Sequence, residues 1–205
     1  MGIYSKYIFP RIMDLALSGK VIAGYRQNLL TQAQGNILEI GFGTGLNLPN
    51  YPETVKKIAT VDVNPGMSSL AQARIKTTGI EVAQHLLTAE KMPFEENSFD
   101  TIVSTWTLCS IADVEQALSE VYRVLKPGGQ FLFLEHGLSN ESKVQFWQNR
   151  LNRLQNILGD GCHLNRSITK LVEKQPWQIT QEQQFYIKDM PKAVSYMYQG
   201  TAIKT

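Results

Sequence analysis

The stretch ILEIGFGTGLNLPN, Ile37 to Asn50, decides the fold: an apolar strand runs into three glycines and then into a short helix. Ile37, Leu38 and Ile40 have the unbroken apolar character of a strand buried on both faces of a parallel sheet. Gly41, Gly43 and Gly45 then remove side chains from a tight turn. Glycine tolerates positive φ and presents no Cβ, so a ligand can approach such a turn closely. Taken alone, these residues also fit an ordinary glycine-rich turn between a strand and a helix.

Upstream, Ser5 to about Gln34 reads as two helices, broken near Pro10 and again at Ser18-Gly19. Ile8, Ile12, Leu15 and Ala16 are expected to face the core or cover a ligand, while Lys6, Arg11, Lys20 and Arg26 stay in water. This basic amphipathic character also fits weak peripheral contact with an anionic membrane surface.

Downstream, KIATVDVNP is a second strand finishing with Asp62. A helix over Gly66 to Thr77 is stopped by Gly79, and strands follow at Glu81 to Leu87 and Thr101 to Ser104. Asp113 caps a helix whose Val114, Leu118, Val121 and Leu125 recur at helical spacing, and Lys126-Pro127-Gly128-Gly129 stops it. The strand QFLFLEH ends at Glu135 and His136. A helix over Ser142 to Leu158 offers Val144, Phe146, Trp147, Leu151, Leu154 and Leu158 for packing, and a further helix covers Ile168 to Glu173. Strands at Trp177 to Ile187 and Ser195 to Ala202 pair as a hairpin.

This alternation predicts an α/β, Rossmann-like fold: a seven-stranded, mostly parallel sheet with helices on both faces and a C-terminal antiparallel hairpin. One domain is expected over 1–205, with a helical cap at 1–34, a cofactor-binding half at 35–136 and substrate-side elements at 137–205. At 205 residues and 43% hydrophobic, the chain suits one large core. Twenty basic residues against 18 acidic leave a net charge of +2, too little to argue for a nucleic acid partner. Two cysteines, Cys109 and Cys162, without CxxC spacing point to a reducing, cytoplasmic compartment rather than a disulfide scaffold. No run approaches the ~20 apolar residues that span a bilayer. Lys6, Pro10, Arg11 and Asp14 interrupt the N-terminus as a secretory signal would not allow.

In an open parallel sheet, ligands bind beyond the carboxyl ends of the strands. The glycine spacing separates two cofactor classes there. A dinucleotide fold wants G-x-G-x-x-G to bring a helix N-terminus to a pyrophosphate. Here the third glycine comes one residue early, and Leu46 stands where that pattern has glycine. Asp62, about 20 residues after the first glycine, suits a ribose with free hydroxyls. The pair points to an adenosine without a pyrophosphate.

The run E39-x-G-x-G-x-G45, the acidic end of the second strand, AEKMPF at 89 to 94 and VLKPGG at 124 to 129 together resemble a class I S-adenosylmethionine-dependent methyltransferase. The likeness covers about Gln34 to Glu135. It implies that Gly41, Gly43 and Gly45 line the methionine moiety and that Asp62 holds the ribose. Ala89 and Glu90 then lie near the adenine, which Asn64 and Met67 flank. Glu39, Phe42, Thr44, Asn47, Val63 and Thr105 complete the expected cofactor site, with Tyr4 and Tyr7 reaching over the cofactor's carboxylate or simply packing. Thr88 departs from the pattern, since many relatives have an aspartate there for the adenine amino group.

TLCSI at 107 to 111, FLEHG at 133 to 137, FWQ at 146 to 148 and DGCHLNR at 160 to 166 resemble the methyltransferase-like thiol S-methyltransferases. Animal members carry an N-terminal membrane anchor, which is not expected for this sequence. A more distant resemblance is to bacterial phosphatidylethanolamine N-methyltransferases. The implied reaction is in-line methyl transfer from S-adenosylmethionine to a small thiol or sulfide acceptor. Transfer to an amine or lipid, and cofactor binding without catalysis, are the alternatives. His136 is the expected base or thiolate-favouring group, or else a histidine that ties down its loop. Trp106, Cys109, Cys162 and His163 are expected on the acceptor side. Their spacing matches no recognised metal pattern, so no metal is expected. Asp160 and Arg166 are expected to brace the Cys162 loop as an ion pair, and the oligomeric state stays open.

Overall fold

All four side chains of strand β1 (Ile37–Ile40), Glu39 included, are buried. In the computed structural model, which describes residues 2–205, this strand pairs in parallel with β2 (Lys57–Asp62) on one side and β4 (Phe99–Thr105) on the other. β3 (Glu81–Leu86) adds in parallel to β2, and β5 (Leu125–His136) to β4. The antiparallel pair β6 (Trp177–Tyr186) and β7 (Tyr196–Lys204) closes the sheet against β5, in the order β3-β2-β1-β4-β5-β7-β6. The seven-stranded sheet and its C-terminal hairpin are as the sequence predicts.

The helices are α1 (Phe9–Leu17), α2 (Lys20–Leu30), α3 (Pro65–Thr78), α4 (Val114–Val124), α5 (Ser142–Leu158), α6 (Ile168–Val172) and a short α7 (Lys192–Ser195). Successive strand residues point to opposite faces, so two cores form. Leu38, Ile40, Ile102, Phe131 and Phe133 pack with Val114, Leu118 and Val121 of α4. On the other face Ile37, Ile58, Val103, Leu132 and Leu134 pack with Ile22, Leu29 and Leu30 of α2. The caps are those expected: Asp113 accepts from the Gln116 N–H at 3.0 Å, and Gly79 ends α3 at φ +67°.

Four local expectations are corrected. The helix after the glycines is a single 3-10 turn, Leu48–Asn50, because Pro52 holds Tyr51 extended at φ −69° and ψ 146°. In α1, Phe9, Met13, Ala16 and Leu17 border the site described below, whereas Ile12 and Leu15 are exposed, as is Ile8 at the end of the π-helical turn Tyr4–Ile8 that precedes it. Both stripes of that helix are apolar, so periodicity alone could not choose between them. Along α5 only Val144 and Gln148 are buried, while Phe146, Trp147, Leu151, Leu154 and Leu158 are exposed. Gln148 instead anchors the segment after β5, donating to the Gly137 carbonyl at 2.9 Å and accepting from the Ser139 N–H at 2.9 Å. Arg26, expected in water, is buried. Among the described residues no helix is long and apolar enough to cross a membrane.

Candidate active site

The carboxyl ends of β1, β2, β4 and β5 open into one cavity of about 590 Å³. It lies where the chain order reverses around β1, as expected for an open α/β sheet. Its floor is the glycine turn. Gly41 holds φ +68°, and a Cβ there would stand 1.9 Å from Thr107 Oγ1. Gly41→Ala therefore combines a strained backbone with a clash. It is expected to cost about 2–3 kcal/mol and to displace the turn, which thermal melts read directly. Gly45 does not line the cavity; its Cα faces Leu48, Phe42 and Ala71.

The end of β2 is tied to this turn through Asp62. The Gly43 N–H donates to Asp62 Oδ2 and the Asn64 N–H to Oδ1, both at 2.7 Å. Burial pushes the Asp62 carboxyl up, and these two donors oppose it. Each oxygen keeps acceptor capacity toward the cavity. Asn64 caps α3 through the Gly66 N–H, and its Nδ2 donates to the Ser5 carbonyl at 2.8 Å. Ser5 Oγ in turn donates to Asp160 Oδ1 at 2.7 Å. Arg74 of α3 binds Asp14 of α1 at 2.7 Å and the Thr44 carbonyl at 2.9 Å. The N-terminal cap is thus fastened across both ends of the cavity.

Two buried ionisable groups line the cavity beside the glycine turn: Glu39, which the sequence places in the cofactor site, and Arg26, which it does not. Glu39 accepts from Asn47 Nδ2 at 2.9 Å and from the Tyr51 hydroxyl at 2.7 Å. Burial raises its carboxyl to about 7, against the lowering by Tyr51, Asn47 and the Arg26 charge. The Arg26 guanidinium lies 4.6 Å from the Trp106 ring centre and donates to the Leu17 carbonyl at 2.8 Å, while its Nε has no partner. Burial brings it down to about 10. No pattern in the sequence distinguishes Arg26 from the other basic residues of the cap, because its burial depends on how α2 docks.

Glu39 has a consequence for stability. Its folded value of about 7 lies above the unfolded reference of 4.5. Its contribution is therefore whole below pH ~4.5 and is lost as pH rises toward ~7, about 3 kcal/mol in all. Glu39→Gln is expected to flatten this fall, checked by comparing the pH dependence of the two melting curves.

At the far side, Val63, Met67 and Ala89 line the cavity. Glu90 lines it too, but its carboxylate accepts from the Asp113 N–H at 2.7 Å and from Thr88 Oγ1 at 3.0 Å. Thr88 thus serves Glu90. Phe42, Thr44, Asn47 and Thr105 are all on the lining. Tyr7 is not: it is exposed, with the Lys6 ammonium 5.1 Å from its ring centre.

Under the ends of β4 and β5, three residues far apart in sequence meet. Ligand atoms of Cys109, His136 and Cys162 lie within 4.8 Å of one another, all three residues are buried, and all line the cavity. Cys162 Sγ stands 3.3 Å from His136 Nε2. Contact with Cys109, then burial, pushes the Cys162 thiol up. His136 Nδ1 has no hydrogen-bond partner, while Nε2 reaches Sγ of Cys162 in the loop after α5. The two cysteine loops are joined instead by the His163 N–H, which donates to the Cys109 carbonyl at 2.9 Å. The His163 ring is engaged by Asn152 and Asn156 and lies off the cavity lining. The expected Asp160–Arg166 ion pair does not form. Asp160 binds Ser5, and Arg166 donates to the Leu108 carbonyl, because each side chain faces a different neighbour of the loop. Trp106, at φ +52°, lines the cavity with its ring against the Arg26 guanidinium.

Residues 38–133 match the family model of the methyltransferase domain. The rat thiol S-methyltransferase TMT1B is 34% identical over 183 residues, covering 82% of this chain and 75% of the relative. The chain belongs to the S-adenosylmethionine-dependent methyltransferases. Phosphatidylethanolamine N-methyltransferase of Cereibacter sphaeroides is 29% identical over 127 residues, covering 61% of this chain and 62% of that one. The crystal structure of YcgJ from Bacillus subtilis shares the fold, with a TM-score of 0.68 at 22% identity over 89% of this chain and 97% of the other.

The methyltransferase family accounts for the pairing of a glycine turn with Asp62 and the absence of a pyrophosphate site. Its cofactor, S-adenosylmethionine, carries a methyl already activated by the sulfonium. The residues present suit it: open backbone at Gly43, where a Cβ would meet only the Gly41 carbonyl at 3.8 Å, a carboxylate with free acceptor capacity at Asp62, and an unpartnered guanidinium nitrogen at Arg26. What remains for the protein is to align the acceptor and exclude water.

Proposed function

We propose that this methyltransferase acts on a small thiol, and that the acceptor enters at the Cys109–His136–Cys162 end of the cavity. The observation that carries this reading is the convergence of two thiols and an imidazole on the lining that the glycine turn shares. The names of its thiol S-methyltransferase relatives agree with it.

In this reading the Asp62 carboxylate takes the ribose hydroxyls. Gly41 and Gly43 let the methionine arm lie on the backbone, with its carboxylate toward Arg26 and its ammonium toward Glu39. Val63, Met67 and Ala89 flank the adenine. The cysteines offer a soft, weakly hydrated surface to the acceptor sulfur, and His136 favours its thiolate. A reference thiol ionises near ~8.5, so modest help suffices at neutral pH. The thiolate lone pair forms the new S–CH3 bond as the methyl–sulfonium bond breaks, and that electron pair stays on the sulfur of S-adenosylhomocysteine. Phe9, Met13 and Leu17 of the cap keep water from the path. A reducing cytoplasmic setting, which keeps both cysteines free, belongs to the same reading.

A second reading, N-methylation of phosphatidylethanolamine at a membrane surface, is favoured by one feature. The cap, with exposed Ile8, Ile12 and Leu15, is tied by the Tyr4 hydroxyl to the Leu158 carbonyl at the end of α5, where Leu154, Ile157 and Leu158 are also exposed. A radiolabelled-methyl panel of small thiols, amines, phenols and phosphatidylethanolamine vesicles separates the two. Methylated thiol with unlabelled lipid is the expected result. Labelled lipid without labelled thiol would overturn the thiol assignment.

A further inference from the structure

Cys109, His136 and Cys162 are 27 and 26 positions apart in sequence, yet the fold delivers all three to one place. Cys109 sits just beyond β4, His136 is the last residue of β5, and Cys162 lies in the loop after α5. The backbone bond from the His163 N–H to the Cys109 carbonyl holds the two cysteine loops together.

We infer that these three side chains form a binding site for a thiophilic divalent cation of the zinc class, with a fourth position open to the cavity. Two sulfurs and one imidazole nitrogen are a zinc donor set, and three protein ligands with one open position are the arrangement of a reactive rather than a purely structural site. A tetrahedral ion with Zn–S ~2.3 Å and Zn–N ~2.0 Å separates its ligand atoms by roughly 3.5–3.8 Å. The three atoms here lie within 4.8 Å of one another, and Cys162 Sγ is 3.3 Å from His136 Nε2. The site can therefore close on an ion by small side-chain rotations.

The surroundings fit the charge such an ion would leave on sulfur. Gln155 Nε2 is 3.6 Å from Cys162 Sγ, positioned to donate to a thiolate. The Arg166 guanidinium, held by the Leu108 carbonyl, contributes positive charge near both sulfurs. His136 leaves Nδ1 without a partner and turns Nε2 to sulfur.

The role of the ion in transfer rests on the thiol reading above. An acceptor RSH takes the open position and releases its proton to solvent, because coordination ionises a thiol outright. The bound thiolate then attacks the methyl carbon, the methyl–sulfonium bond breaks, and the product thioether, a poorer ligand than a thiolate, leaves the ion.

The test is titration of the reduced, metal-stripped protein with cobalt(II), which reports its ligands spectroscopically. About one equivalent should raise a thiolate-to-cobalt charge-transfer band and the strong visible bands of tetrahedral cobalt, and zinc should abolish both. Cys109→Ser and Cys162→Ser should each weaken zinc binding by more than the ~10–100-fold that loss of an outer-shell partner costs. Should a variant fail to fold, the native chain supplies the same information, since zinc should protect both cysteines from alkylation until a chelator is added. No cobalt spectrum from protein with both thiols reduced, or no protection by zinc, overturns the site. Methylation of a thiol at an unchanged rate by stripped protein overturns the ion's part in transfer while leaving the thiol reading intact. Cobalt binding without methylation of any thiol would overturn the thiol reading, and the ion's part in transfer with it, while leaving the site.

Discussion

Asp62→Ala is expected to weaken binding of S-adenosylhomocysteine by about 10–100-fold, equally whichever acceptor is present. Hydrogen bonds to a charged group contribute ~1.5–3 kcal/mol, and each ~1.4 kcal/mol is tenfold in affinity. Two losses combine in this variant. The ribose loses its acceptor, and the N–H groups of Gly43 and Asn64, each 2.7 Å from the carboxylate, lose the group that joins the glycine turn to β2. Asp62→Asn keeps one acceptor oxygen and should recover part of the affinity. Calorimetric titration gives the comparison, and turnover at saturating cofactor should fall far less than the affinity does. An Asp62→Ala protein with unchanged cofactor affinity would remove this residue from the site.

Arg26→Met is the second large effect. The substitution keeps an apolar stem of similar length and removes a buried cation whose Nε has no partner. The informative readout is a ratio. Wild-type protein should prefer S-adenosylhomocysteine over 5′-methylthioadenosine, which lacks the amino-acid arm, and the variant should lose about 10–100-fold of that preference. A general loosening of the fold would weaken both ligands together and leave the ratio in place. Removing Arg26 also removes an opposing charge from Glu39, so the Glu39 carboxyl should move further up.

These two residues mark the limit of what was legible in the chain. Asp62 could be read from sequence because a strand end at a set distance from a glycine turn occupies a set place in the sheet. Arg26 was grouped with Lys6, Arg11 and Lys20, and only the packing of α2 over β1 separates it from them. The apolar residues of α5 show the converse. Their helical spacing suggested a packed face, yet the helix docks through Val144 and the amide of Gln148 and leaves Phe146 and Trp147 in solvent.

By itself the sequence determined the sheet, its hairpin and the glycine turn, because each rests on periodicity or on spacing within one strand and its following loop, and the resemblance carried by four separate motifs added the cofactor class. The tertiary structure alone decided which of two apolar stripes of α1 borders the cavity. It also decided that Tyr7 stands off the cavity lining and that Arg26 stands on it. Above all it decided that Cys109, His136 and Cys162 meet. That meeting needs β4 and β5 to be neighbours and the loop after α5 to fold back onto them. No local pattern encodes such a contact, since its cost is the ordering of long intervening segments and its stabilisation comes from the packing of the whole sheet.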